Sequence, residues 1–232
     1  ADVDAETAPN CAGLKATFFS AVNARMNADA ALTPLAAMRA EVAAKQGTYL
    51  LQGAELPTGQ IAAASGLTRI LDLPGLHNNG YLKPSIKSLY PDADAFVAGA
   101  QAGRFDPDQD LDNRRNLRGR VNQTWWAEAG STAGLNLVDM IEAFHLTGDP
   151  SYPKGAVQLT VTASGVDEMG LKVHKPTAFD GMQQGWGSDP WWVASGDRNW
   201  GLTKHGTKEV VMGAARLSCF GDRRLVLPPG GP

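Results

Sequence analysis

The sequence predicts an α+β fold, with a helical N-terminal half packed on a mostly antiparallel sheet drawn largely from the C-terminal half. Up to about residue 146 the apolar residues recur every three or four positions, as they do along one face of a helix. After Gly148-Asp149-Pro150 the period drops to two, starting with Val157, Leu159 and Val161 in KGAVQLTVT. A length of 232 residues with 43% hydrophobic and 19% charged residues suits one ordinary globular core. Residues 1–10 (ADVDAETAPN) are polar and expected to be disordered, leaving 11–232 as a single domain.

A first helix is expected over Cys11–Ala30, where Leu14, Phe18, Val22 and Met26 form one stripe. Thr33-Pro34 caps a second, which Gly47 ends, with Leu35, Met38 and Val42 buried. Thr48–Gln52 is short, apolar and suited to a strand. Gly59–Leu71 reads as a helix, and LPGLHNNGYLKPS at 73–85 reads as loop because of its Gly, Asn and Pro content. A short helix follows over Asp92–Ala102, and a longer one over Leu135–Leu146 with Val138, Ile141 and Phe144 on its buried face. The later strands are expected at 154–162 as a half-buried strand, then at Leu171–His174, Thr207–Met212, Arg216–Phe220 and, as a last edge, Leu225–Leu227.

Several function classes fall away on composition and motif. A net charge of -3 and a pI near 5.8 lack the basic field of a nucleic-acid-binding protein. No apolar run has the length of a membrane-spanning helix. The serine-nucleophile elbow, P-loop, paired-histidine zinc and dinucleotide motifs are missing, and the four histidines are too scattered to predict a metal site. The DPDQDLD run at 106–112 begins like a calcium loop, yet Leu111 and Leu117 stand where that loop needs Gly and Glu. Its acids are better matched to the basic run Arg114, Arg115, Arg118 and Arg120.

The two cysteines, Cys11 and Cys219, lie near opposite ends of the sequence. Either they are buried thiols of a reducing compartment or they form one bridge. The N-terminal decapeptide, which looks like the residues after a cleaved signal, favours the bridge and a secreted or periplasmic location.

Chemistry-bearing residues concentrate in Gly185–Met212, which holds Trp186, Trp191, Trp192 and Trp200 with Asp189, Asp197, Arg198 and His205. Its Gly, Pro and Ser content predicts a loop that runs into the strand Thr207–Met212. In a strand, Thr207 and Glu209 share one side and Lys208 takes the other, so Glu209 can enter a cleft beside stacking tryptophans.

The segment Tyr49-Leu50-Leu51-Gln52-Gly53-Ala54, a helix, and Gly80-Tyr81-Leu82-Lys83-Pro84-Ser85 together resemble the opening of toxin-type ADP-ribosyltransferases. AFHLTGD at 143–149 followed by KGAVQLTV is similar to their middle portion, and Lys208-Glu209-Val210 stands where they carry a catalytic acid. The resemblance implies a split sheet that binds NAD as substrate, no tightly bound cofactor, and cleavage of the nicotinamide–ribose bond. It implies catalytic roles for Glu209 and, at the first-motif position, Gln52. Tyr81, Trp191, Trp192, His205 and Thr207 become the expected NAD-binding residues. This sequence departs from the family at Leu51 and Gln52, where His or Arg is expected in the first strand, and at Thr207, where many members carry Glu or Gln.

Two other classes fit the same residues. Clustered tryptophans with Asp189, Asp197 and Glu209 suit a glycan-binding or glycan-cleaving protein. A Trp-rich loop also suits a docking surface for a protein target without catalysis.

Overall fold

The computed structural model describes residues 11, 56–117, 124–144, 146–174, 193–194, 201–202, 208–213 and 215–230. The two expected N-terminal helices beyond Cys11, the strand at 48–52 and most of the tryptophan loop lie outside the described residues.

The described chain begins with helix α1 (Thr58–Ala63) and strand β1 (Leu67–Asp72), so the single helix expected over Gly59–Leu71 is corrected to a helix and a strand. The break is steric. Gly66 has φ +98°, and a Cβ there would sit 2.4 Å from the Val161 carbonyl oxygen, so only glycine brings β1 this close to its neighbour. The expected loop at 73–85 is likewise corrected to two short helices, α2 (Leu73–Asn78) and α3 (Pro84–Lys87). Asp72 starts α2 by accepting the Gly75 N–H at 2.6 Å, with Pro74 in the first turn, a pairing that outweighs the glycine and asparagines.

Helix α4 (Ala93–Gln101) matches expectation, with Asp92 accepting from the Ala95 N–H. In the aspartate run, Asp106 caps α5 (Pro107–Asp110). Asp112 forms a two-pronged pair with Arg114 at 2.9 and 3.0 Å and faces Arg115 at 3.6 Å. Strands β2 (Asn116–Leu117) and β3 (Thr124–Glu128) follow, then a 3-10 turn at Gly130–Thr132 and helix α6 (Leu137–Ala143). Helix α6 is shorter than expected and turned differently. Asn136 caps it, Leu137, Met140 and Ile141 are buried, and Val138, expected inside, is 54% exposed.

A second 3-10 turn (Tyr152–Lys154) leads into β4 (Ala156–Val161). This strand is buried on both sides, a correction to the half-buried expectation. Val157, Leu159 and Val161 join the main core, while Ala156 joins a second cluster with Ile70, Leu137, Met140 and Ile141 beneath α6. Helix α7 (Ala163–Glu168) and β5 (Val173–His174) come next, then β6 (Val193–Ala194), β7 (Gly201–Leu202) and β8 (Lys208–Met212). The strand expected at Arg216–Phe220 is instead β9 (Ala215–Arg216) and a 3-10 turn, Leu217–Cys219. Strand β10 (Asp222–Val226) forms the expected last edge.

The main sheet runs β10-β4-β1-β3-β8-β7-β6, with β5 also on β8, and every pairing is antiparallel. Strands β2 and β9 form a separate two-stranded sheet. The α+β class is therefore observed, with β1 from the first half inside the sheet, between β4 and β3. Cys11 and Cys219 form a disulfide with their Cα atoms 4.5 Å apart.

Candidate functional site

The sheet opens between β1 and β3. These strands pair only at Leu67↔Glu128 and Thr68↔Ala127, while β1 stays zipped to β4 along its whole length and β3 to β8. The Leu73 N–H bonds the Gly155 carbonyl on the β4 side, and the Ala129 N–H bonds the Gly66 carbonyl on the β3 side. Alternation in an antiparallel ladder then turns the main-chain groups of Ile70 toward β3 and those of Trp125 toward β1. The ladder pair between Ile70 and Trp125 does not form.

The opening holds a cleft of about 390 Å³, part of it open to solvent. Thr68, Arg69 and Ile70 make one lip; Trp125, Trp126 and Ala127 make the other. Phe144 and Leu146, just beyond α6, and Tyr152, in the turn before β4, complete the wall. The lining is mostly apolar with a few polar groups, the make-up expected of a small-molecule site.

Arg69 is the charged group of the cleft. Its guanidinium carbon lies 5.7 Å from the Trp126 ring centre, within cation–π range. Its Nε is buried without a hydrogen-bond partner, and among the described residues no carboxylate forms an ion pair with it. Burial pulls the Arg69 pKa below the usual arginine value, with the hydroxyls of Tyr152 and then Tyr81 acting the other way. The guanidinium stays charged at physiological pH. A cation held like this in an apolar wall favours a ligand that brings negative charge.

Tyr152 is also shaped by its surroundings. Burial pushes its pKa up to about 12, the Arg69 charge acts against this, and Asp72 and Asp149 reinforce it. The phenol keeps its proton across the physiological range. Asp72, at the end of β1, is itself raised, first by burial and then by the charge of Asp149, against the hydrogen bond from Gly75.

Trp126 is fixed by its surroundings. It is 1% exposed, its Nε1 donates to Thr124 Oγ1 at 2.6 Å, and Phe220 stacks on it. Thr124 is held by donation to the carbonyls of Gly213 and Met212. Behind the other lip, Gln158 donates to Thr68 Oγ1 at 3.1 Å and Thr132 Oγ1 at 3.0 Å. Its carbonyl oxygen accepts from Arg224 at 2.8 and 3.1 Å.

The sequence-expected residues divide among three situations. Glu209 is in β8, in register with Ala127 of the cleft lip on one side and Gly201 of β7 on the other. Strand β8 is an interior strand. Tyr81 is partly buried against the main core, where its hydroxyl acts on Arg69, but it does not line the cleft. Gln52, Trp191, Trp192, His205 and Thr207 lie outside the described residues. Sequence reasoning missed Arg69, Trp125, Trp126 and Tyr152. The available signals were a lone arginine inside the apolar run LTRILD and the WW pair in TWWAE. No protein-family model, curated protein or solved structure matches the chain.

Proposed function

We propose that this chain is a secreted NAD-consuming enzyme of the ADP-ribosyltransferase or NAD glycohydrolase type, with its substrate in the β1–β3 opening. The observation that carries the reading is the order of strands across the sheet. Arg69 stands on β1 beside the opening, tryptophans on β3, and Glu209 on the next strand, β8, in register with the cleft lip.

The resemblance called for His or Arg in a first strand, and Arg69 supplies such a cation where the segment at Leu51-Gln52 does not. Gln52 accordingly drops from the catalytic assignment. The ladder position at Ile70 and Trp125, where the two strands do not pair, suits a planar amide such as the nicotinamide carboxamide. Arg69 suits the pyrophosphate. Glu209 is assigned to stabilise the positive charge that develops on the ribose as nicotinamide leaves. The Cys11–Cys219 disulfide supports an oxidising compartment outside the cytosol. Trp191, Trp192, His205 and Thr207 stay as substrate-contact candidates, Tyr81 keeps a part only through its action on Arg69, and a protein target as acceptor remains part of the proposal. The glycan-cleaving reading is weaker, because the described cleft lining presents a cation and no pair of carboxylates.

Nicotinamide release from NAD by the purified protein, with and without a lysate as acceptor, tests the proposal. Glu209→Gln is expected to lower release at least a hundredfold while leaving the melt unchanged. Wild-type protein that releases no nicotinamide in either condition overturns it.

A further inference from the structure

The NAD reading assigns the pyrophosphate to Arg69 and leaves the phenol beside it without a role. Tyr152 and Arg69 line the same cleft, and their charge and hydroxyl act on each other. Among the described residues the Tyr152 hydroxyl has no hydrogen-bond partner, and the Arg69 Nε has none either. Of the other lining residues, Ile70, Ala127, Phe144 and Leu146 offer no side-chain donors, the donors of Thr68 and Trp126 are used on the Leu159 carbonyl and Thr124, and Trp125 brings an indole N–H on the opposite lip. An anion seated on one guanidinium has more acceptor oxygens than that group can satisfy, and in an apolar wall the remainder stay unpaired at a cost. An un-ionised phenol next to the cation is the kind of donor that fills the deficit.

We propose that Tyr152 is a specificity-determining residue of the cleft: its hydroxyl donates to an anionic oxygen held by Arg69, so the site selects phosphate-bearing ligands over their phosphate-free counterparts. This rests on the NAD reading for the identity of the ligand, while the two-donor clamp rests on Arg69 and Tyr152 lining one cleft. The bland role for Tyr152 is to cover Ile70 and Phe144 in the second apolar cluster. Phenylalanine would do that equally well, so Tyr152→Phe separates the two roles.

The experiment is calorimetric titration of wild type and Tyr152→Phe with NAD, nicotinamide riboside and inorganic pyrophosphate, with a thermal melt of each protein. The expected result is about a tenfold weaker NAD affinity for Tyr152→Phe, the size of one charge-assisted hydrogen bond. Nicotinamide riboside, which lacks the pyrophosphate, should bind both proteins alike, and the melts should coincide. Equal NAD affinity for the two proteins overturns the role of Tyr152 and leaves the NAD reading intact. Wild type that binds pyrophosphate but not NAD, with the variant weakened, supports the clamp and sinks the NAD reading. Wild type that binds neither overturns both.

Discussion

Phe220 lies flat against Trp126, with ring centres 5.3 Å apart and ring planes 10° apart. Trp126 lines the cleft under the Arg69 guanidinium, while Phe220 directly follows the disulfide cysteine Cys219, so this stack ties the cleft lip to the C-terminal end of the core. Phe220→Ala removes a side chain that is 3% exposed and opens a void beside the indole. The expected cost is about 3–5 kcal/mol in denaturant unfolding. A red-shifted tryptophan emission in the still-folded variant would report water reaching the cleft wall. An unshifted spectrum with full stability would mean that the stack is incidental.

The Cys11–Cys219 bridge spans 208 positions of sequence, so it removes a large part of the unfolded chain's freedom. A loop of that length is worth about 5 kcal/mol on the chain-entropy model. Thiol reductant, or Cys11→Ser with Cys219→Ser, is expected to lower the melting temperature by roughly 10 °C or more. Cys11 Sγ also lies 3.4 Å from the Gly165 carbonyl on α7, a contact that the double variant alters as well. A melt indifferent to reductant would rule out a stabilising bridge.

Gln158, nearly buried, uses its carbonyl oxygen and amide group in one network joining Arg224, Thr68 and Thr132. Gln158→Leu keeps the volume roughly constant and removes these bonds, leaving Thr68, Thr132 and Arg224 only their bonds to the carbonyls of Leu159, Ala129 and Leu135. Destabilisation of about 2–3 kcal/mol is expected in urea unfolding. Because Thr68 makes the last β1–β3 pair before the opening, amide exchange at Thr68 and Ala127 should also speed up. Unchanged exchange there would separate the network from the shape of the cleft.

Two aspartates have opposite pH signs. Burial raises the Asp112 pKa, but the side-chain hydrogen bond and charge of Arg114, with Arg115, outweigh it and hold the carboxyl below its ordinary value. Its stabilisation is therefore present above the unfolded-state pKa near 4 and is lost as pH falls through the lower folded value. Burial raises Asp72, so its contribution is fully present below pH 4 and is lost as pH rises through the higher folded value. Asp112→Asn should cost about 1–3 kcal/mol at pH 7 and little at pH 3. Asp72→Asn, which keeps a capping oxygen for Gly75, should be neutral or stabilising at pH 7. The pH dependence of unfolding for both variants checks this, and matching slopes would refute it.

The sequence alone determined what local physics writes into it. The change from helical to alternating periodicity near Pro150 marks the class, and the placing of α4, β4, β8 and β10 follows from caps and alternation. The aspartate–arginine pairing was legible for the same reason, since Asp112, Arg114 and Arg115 are near neighbours. Errors arose where contact with distant chain overrode local preference. Gly66, inside the stretch expected to be one helix, is a glycine because Val161, 95 positions later, crosses it. Val138 faces out because the cap at Asn136 and packing against Ile70 set the rotation of α6, which periodicity at three-residue spacing could not fix.

The candidate site was legible only in part. Glu209 could be placed on a strand from its own neighbours, because alternation is a local property. Arg69, Trp126 and Tyr152 could not be grouped, since they stand far apart in sequence and meet only because β1 leaves β3 after two pairs. Where two strands part is decided by the packing on both faces of the sheet, and no single stretch of sequence records it. The tertiary structure alone turned a lone arginine in an apolar strand into the charged wall of a cleft.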